Sequence, residues 1–274
     1  MIPSEHLEDT SESILKMLPT PNTTHINPSR IYTPAEDSFL LLDTLSSSSE
    51  TNFLSLRFTS SPLSRVPSPT PLIVEIGTGS GIVLAFLHAN ASTIFARSDV
   101  LTLGVDINEH ACRATLKTIE VAQQERRTSG QDHGLCGGTM VGNLNAGLQD
   151  EVVDVLVFNP PYVPTDDTLP QPPVDQDGQQ SRNPTFEEDS SFLELSYAGG
   201  KDGMEVTDRL LDLIPCMLSN RGVAYILLCA QNKPAEVVEK LRKWGPRWET
   251  EIVGSSGKQA GWEKLVIVRI ARVI

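Results

Sequence analysis

The sequence predicts an α/β fold built on a seven-stranded, mostly parallel sheet of Rossmann-like type, and three observations predict it. Short apolar runs alternate with helical stretches from residue 72 onward. A glycine-rich turn, Gly77-Thr78-Gly79-Ser80-Gly81, joins the first run to the helix after it. The last two runs flank a Gly/Ser turn and close the sheet as an antiparallel hairpin.

Residues 1–30 carry Pro19, Pro21 and Pro28 among many Ser, Thr and Asn, and read as a mobile arm with at most a short helix around 13–18. Residues 35–45 are a helix, because Phe39, Leu40, Leu41, Leu42 and Leu45 fit one face. Thr33-Pro34-Ala35-Glu36 reads as its capping box, with proline at the first helical position. Residues 46–71 are rich in Ser and Pro and read as an insertion or loop, in which Phe53, Leu54 and Leu56 are compatible with more helix. Strands follow at 72–76 and 101–107, with helices at 82–89 and 109–126. A short third strand covers 139–141. The fourth, 152–158, is apolar throughout and so is expected to be covered on both faces.

Residues 165–190 are acidic, Pro- and Gln-rich and almost without aliphatic side chains, the composition of a flexible insertion. A helix at 204–218, a strand at 222–229 and a helix at 234–244 lead to the hairpin strands at 248–253 and 264–272. The expected organisation is an N-terminal arm, 1–30, and one catalytic domain, 31–274, with insertions at 46–71 and 165–190.

With 274 residues and 39% hydrophobic content the chain can fill one large core. No run approaches the roughly 18 apolar residues of a membrane span, and residues 1–10 are acidic and polar, so neither membrane association nor a signal peptide is expected. A net charge of -13 disfavours nucleic acid, whose phosphates need clustered Lys and Arg. Cys112, Cys136, Cys216 and Cys229 form no CxxC pair or regular spacing, so no metal site or disulfide framework is expected. Such thiols suit the reducing cytoplasm or nucleus.

Glu75-Ile76-Gly77-Thr78-Gly79-Ser80-Gly81 lets backbone approach a ligand over the carboxyl ends of the strands. A dinucleotide fingerprint wants G-x-G-x-x-G and a P-loop wants a Gly-Lys-Ser/Thr ending; this turn matches neither, and a purely structural turn remains open. Asp106, at the end of the second strand, can accept both ribose hydroxyls of an adenosine moiety, or it can cap the next helix. Together these residues resemble the first motif, E-x-G-x-G-x-G, of the class I S-adenosylmethionine methyltransferases. That resemblance implies S-adenosyl-L-methionine as cofactor, with Glu75, Gly77, Gly79, Gly81 and Asp106 holding it. It also places Asn143 and Leu144, in Val141-Gly142-Asn143-Leu144, beside the adenine.

The fourth strand runs directly into Asn159-Pro160-Pro161-Tyr162, at the sheet edge where ligands of open α/β sheets bind. An amide or aromatic amine nitrogen is a poor nucleophile, because its lone pair is delocalised. The Asn159 side-chain carbonyl and the Pro160 backbone carbonyl can each accept one N–H, holding the nitrogen in line and favouring its tetrahedral, positive transition state. Tyr162 can stack on the planar group. The motif points to nitrogen methylation, with glutamine amides and nucleobase amines both open. Read alone, it is also compatible with a structural turn.

Tyr32-Thr33-Pro34-Ala35-Glu36-Asp37-Ser38, Ala198-Gly199-Gly200-Lys201-Asp202-Gly203 and Gln259-Ala260-Gly261-Trp262-Glu263 are similar to segments of the HemK-type release factor glutamine methyltransferases. The resemblance covers most of the chain from about residue 30 and implies that Tyr32 and Ser38 lie near the cofactor. With about 30 residues before the first segment, the chain looks like the eukaryotic and archaeal branch. That branch implies the Gly-Gly-Gln glutamine of a class I peptide-chain release factor as substrate, and its eukaryotic members imply a small zinc-binding activator subunit as heterodimer partner. An adenine or other nucleic-acid amine, or a histone lysine, is the alternative acceptor.

Overall fold

The computed structural model describes residues 17–59, 67–165, 169, 186–257 and 264–274. Its strands are β1 (Leu72–Ile76), β2 (Leu101–Asp106), β3 (Leu135–Val141), β4 (Val153–Phe158), β5 (Leu218–Cys229), β6 (Trp248–Ser255) and β7 (Leu265–Arg272). They form one sheet in the order β3-β2-β1-β4-β5-β7-β6. β1 to β5 are parallel, and β7 runs antiparallel to both β5 and β6, as the terminal hairpin requires.

Helices cover both faces. On one side lie α1 (Glu36–Ser46), α2 (Ser48–Phe58), α3 (Ile82–Ala89), the short α4 (Ala91–Ile94) and the inner face of α5 (Glu109–Thr128). On the other lie α7 (Glu205–Met217) and α8 (Pro234–Arg242). The pleat explains why β4 is apolar from Val155 to Phe158: Val155 and Val157 join the first cluster, while Leu156 and Phe158 join the second, and the one charged residue of the strand, Asp154, pairs with Arg221. Each such apolar side chain, fully buried, contributes roughly 1.5–3 kcal/mol.

Several expectations change. The helix expected from residue 35 starts at Glu36. Ala35 is its N-cap, in extended conformation and without a side-chain cap bond, so Thr33–Glu36 is not a capping box and Pro34 lies outside the helix. Asp37 takes over, its Oδ1 accepting the Ser38 N–H at 2.6 Å. In the Ser/Pro stretch, α2 replaces the expected loop. Ser47 caps it, and Glu50, buried on the core side, accepts hydrogen bonds from Tyr225 Oη at 2.7 Å and from Arg269 Nη1 at 2.7 and 2.9 Å. Residues 60–66 lie outside the described residues.

β3 begins at Leu135, four residues before the expected start. The register with β2 shifts between Cys136 and Gly138, and a glycine pair is where a strand bulges. Of the expected insertion at 165–190, residues 166–168 and 170–185 lie outside the described residues, and its end forms α6 (Phe186–Glu194). Residues 1–16 lie outside them too. The rest of the expected arm is laid against α5: Pro21 is buried, and His25 Nε2 meets Ala114 O at 3.3 Å and Thr118 Oγ1 at 3.2 Å. Among the described residues no helix is long and apolar enough to cross a membrane.

His88, on α3, is fully buried. Gln123 Nε2 sits 2.9 Å from its Nε2 and can only donate, so the ring hydrogen belongs on Nδ1, 3.0 Å from Thr102 Oγ1. In this arrangement a second proton on Nε2 would face the Gln123 NH2. Burial, aided by His133 and Arg127, lowers its pKa from 6.5 to about 4. The unfolded chain therefore binds the proton first, and this contribution to stability is complete above pH 6.5 and lost as pH falls towards 4. Urea unfolding across this range is expected to show about 3 kcal/mol of pH-dependent loss that His88→Gln removes; an unchanged pH slope in the variant contradicts the assignment.

Candidate active site

The glycine turn after β1 takes left-handed backbone at Gly77 (φ 65°), Gly79 (φ 51°) and Gly81 (φ 75°). Such torsions cost an L side chain roughly 1–2 kcal/mol each. Their roles differ. A Cβ at Gly79 meets nothing within 4 Å, so its backbone borders open space, whereas one at Gly81 would lie 2.5 Å from Thr115 Cα. Gly81 thus lets α3 approach α5, and it is not among the residues lining the cavity at this sheet edge, although the sequence places it with the cofactor.

Asp106, at the end of β2, is buried and lines that cavity. Its Oδ2 accepts the Gly79 N–H at 2.9 Å and the Thr78 hydroxyl at 3.5 Å, and its Oδ1 accepts the Asn108 N–H at 2.8 Å. Burial raises its pKa, against the lowering by hydrogen bonds from Gly79, Asn108 and Thr78. The cap of α5 is Asn108, whose Oδ1 accepts the His110 N–H at 2.9 Å. Asp106 is therefore not the helix cap. Glu75, also buried, accepts the Leu84 N–H at 2.9 Å on Oε2. Its pKa is well above the usual range through burial, with repulsion from Asp106 adding to it.

At the end of β4, Asn159 Nδ2 donates to Asp37 Oδ2 at 3.1 Å. Its Oδ1 is buried and has no hydrogen-bond partner among the described residues. Such an orphan costs roughly 1–3 kcal/mol, so it marks a place for a donor. Pro160 lines the same cavity, as do Tyr32 and Ser38. Tyr162 is not among the lining residues; it is half-buried and packs against the apolar cluster formed with α1 to α3.

The turn Ala198–Gly203 holds this loop from beneath. A Cβ at Gly203 would lie 2.0 Å from Tyr162 O, and one at Gly199 2.6 Å from Pro161 O. Gly199 donates to Val163 O at 2.8 Å, and Asn232 Nδ2 reaches Asp202 O at 3.2 Å. Asn232 is not marked as functional by its own neighbours in sequence, and although Asp37 lies in the Tyr32–Ser38 segment, nothing there gives it a role of its own. Only the glycine density of residues 199–203 signals close backbone contact.

Asn143 and Leu144 line the opposite end, where Leu144 is buried with φ 54°. Asn143 Oδ1 accepts Arg209 Nη2 at 3.2 Å, so the oxygen expected to face an adenine amine already holds a guanidinium. Phe192 and Leu195 add an apolar wall.

The site fits S-adenosylmethionine. The buried Asp106 carboxylate can accept the ribose hydroxyls, Glu75 lines the same cavity, and the Gly79 backbone leaves room for the cofactor's chain. Asp106→Ala is expected to weaken S-adenosylhomocysteine binding by roughly 1.5–3 kcal/mol, the scale of a charge-assisted hydrogen bond; unchanged affinity by calorimetry would place the ribose elsewhere.

No family model matches the chain. Curated relatives do. Methyltransferase HEMK2 of Mus musculus is 32% identical over 258 residues, covering 93% of this chain and 97% of its own. The human protein of that name is 32% identical over 247 residues, covering 89% and 91%. The eRF1 methyltransferase catalytic subunit mtq2 of Schizosaccharomyces pombe is 34% identical over 264 residues, covering 94% and 97%. With that identity sustained along nearly the whole of both chains, the acceptor loop and the glycine turn belong to an enzyme of the HEMK2/mtq2 family of methyltransferases, of which this chain is a member.

Proposed function

We propose that the enzyme moves the methyl group of S-adenosylmethionine to the side-chain amide nitrogen of the glutamine in the Gly-Gly-Gln loop of a class I release factor. The observation that carries this reading is the orphaned Asn159 Oδ1, a buried acceptor at the strand edge. The name of the fission yeast relative, an eRF1 methyltransferase catalytic subunit, supports the release factor as substrate.

S-adenosylmethionine supplies an electrophilic methyl carbon carried on a sulfonium. Asn159 Oδ1 and the Pro160 carbonyl each accept one N–H of the glutamine amide, which orients its nitrogen and excludes water from it. As that nitrogen becomes tetrahedral and positive, both acceptors bind its hydrogens more strongly than in the planar ground state. This is differential stabilisation in a low-dielectric site. Among the described residues lining the cavity there is no His or Cys, and none is needed as a base, since the product ammonium-like nitrogen is acidic enough to release its proton afterwards.

A small zinc-binding activator subunit is proposed to pair with the β3 edge. Support comes from the exposed apolar side chains there, Leu135 (53% exposed) and Val141 (62% exposed), and from Leu116 on the adjacent α5. An unpaired edge strand with apolar side chains is a template for another chain.

Labelled methyl transfer from S-adenosylmethionine to release factor is expected to vanish when the acceptor glutamine is changed. Asn159→Ala should lower it by at least about 100-fold, the usual loss of a transition-state hydrogen-bond partner. Undiminished labelling of the changed release factor contradicts the glutamine assignment. Val141→Glu should abolish co-purification with the activator while leaving the isolated chain's cofactor affinity intact; retained heterodimer would move the interface elsewhere.

A further inference from the structure

An orphaned acceptor is useful only if the amide cannot turn over. Asn159 carries an oxygen and an NH2 of nearly equal size, and a rotation of its terminal torsion would exchange them. Facing the cavity with its NH2, the side chain would meet the substrate's own N–H donors and repel them. Pairing with Oδ1 on one side and Nδ2 on the other is thus a chemical choice made by the surroundings.

We infer that Asp37 makes this choice and is a positioning residue for methyl transfer; the inference rests on the amide-nitrogen reading of the site. The Asp37 carboxylate offers only acceptors. Its Oδ1 is committed to Ser38, accepting the backbone N–H at 2.6 Å and the hydroxyl at 3.2 Å. Its Oδ2 is left for Asn159 Nδ2 at 3.1 Å. A flipped Asn159 would set Oδ1 against Oδ2, oxygen to oxygen, in a place from which water is excluded, since Asp37 is 3% exposed. The two residues stand 122 positions apart, joined where α1 starts and β4 ends.

The position of Asp37 in the first turn of α1 also accounts for the irregular start of that helix. Ala35 contributes no cap bond, and Asp37 meets the Ser38 N–H with one oxygen while the other points into the site. A capping residue at position 35 would satisfy the helix, but it would not reach Asn159 from there.

Asp37→Asn separates this role from a structural one. The new amide has a single acceptor. If its oxygen stays on the Ser38 N–H, its NH2 faces Asn159, which then turns its own oxygen inward and presents its NH2 to the acceptor. Combining D37N with N159D reverses the pair: the amide at position 37 donates to the carboxylate at position 159, whose second oxygen again faces the cavity as an acceptor.

The full chain, co-expressed with the activator subunit, should lose at least about 100-fold in kcat as D37N, with cofactor affinity within about threefold of wild type and an unchanged Tm. The D37N/N159D pair should recover at least about tenfold over D37N. Overturning results are D37N with kcat within about threefold of wild type, D37N whose loss lies in cofactor affinity or folding, or a double variant no more active than D37N. These ratios are read on whichever acceptor the wild-type enzyme methylates, so failure of the release-factor assignment and failure of the Asp37 role give different results.

Discussion

A hydrogen-bond acceptor buried without a partner can persist only where its surroundings are too rigid to collapse on it. Asn159 Oδ1 is such an acceptor, and much of the structure serves to hold it. β4 is buried on both faces and enters the site without slack. Pro160 and Pro161 remove backbone freedom directly after it. The glycines at 199 and 203 let a second turn press against the Pro161 and Tyr162 carbonyls from beneath, and Asp37 takes the other end of the amide. Loosening any of these would let the side chain find an internal partner, and the site would lose its acceptor.

The sheet order places this atom beside the cofactor residues. β1 lies between β2 and β4, so the chain winds one way to reach β2 and β3 and the other way to reach β4 and β5. At that reversal the connections part and leave a crevice over the carboxyl ends. The turn after β1, the carboxylate after β2 and the acceptor after β4 open into it together, and the segment leading into α1 covers them with Tyr32 and Ser38. One topological fact thus brings the donor and acceptor halves of the reaction into a single cavity.

What could be read in advance follows the range of the interactions involved. Apolar runs mark β1, β2, β4 and β7 because each buries its own residues, and the Gly77–Gly81 turn is legible because backbone torsion is a local property. α2 is not legible. Its Ser-rich start resembles a loop, and it is anchored by Glu50 against Tyr225 and Arg269, partners 175 and 219 residues away. Thr33–Glu36 carries the letters of a capping box, yet the helix starts one residue later because Asp37 is used for the site as well as for the helix. The importance of Asn159 shows in its tetrapeptide, while the role of Asp37 appears only once two distant elements meet. Tyr162 shows its second role only in the structure: its motif suggests a stacking surface, and packing also sets it against the edge of the core cluster.

The central claim is that Asn159 presents its oxygen, and not its NH2, to an acceptor amide. A crystal structure of the enzyme with S-adenosylhomocysteine and a Gly-Gly-Gln peptide tests it most directly. The account predicts the glutamine amide nitrogen about 2.9 Å from both Asn159 Oδ1 and the Pro160 carbonyl, with Asn159 Nδ2 still on Asp37. A glutamine side chain bound elsewhere, or an Asn159 oxygen turned towards a protein donor, would contradict it.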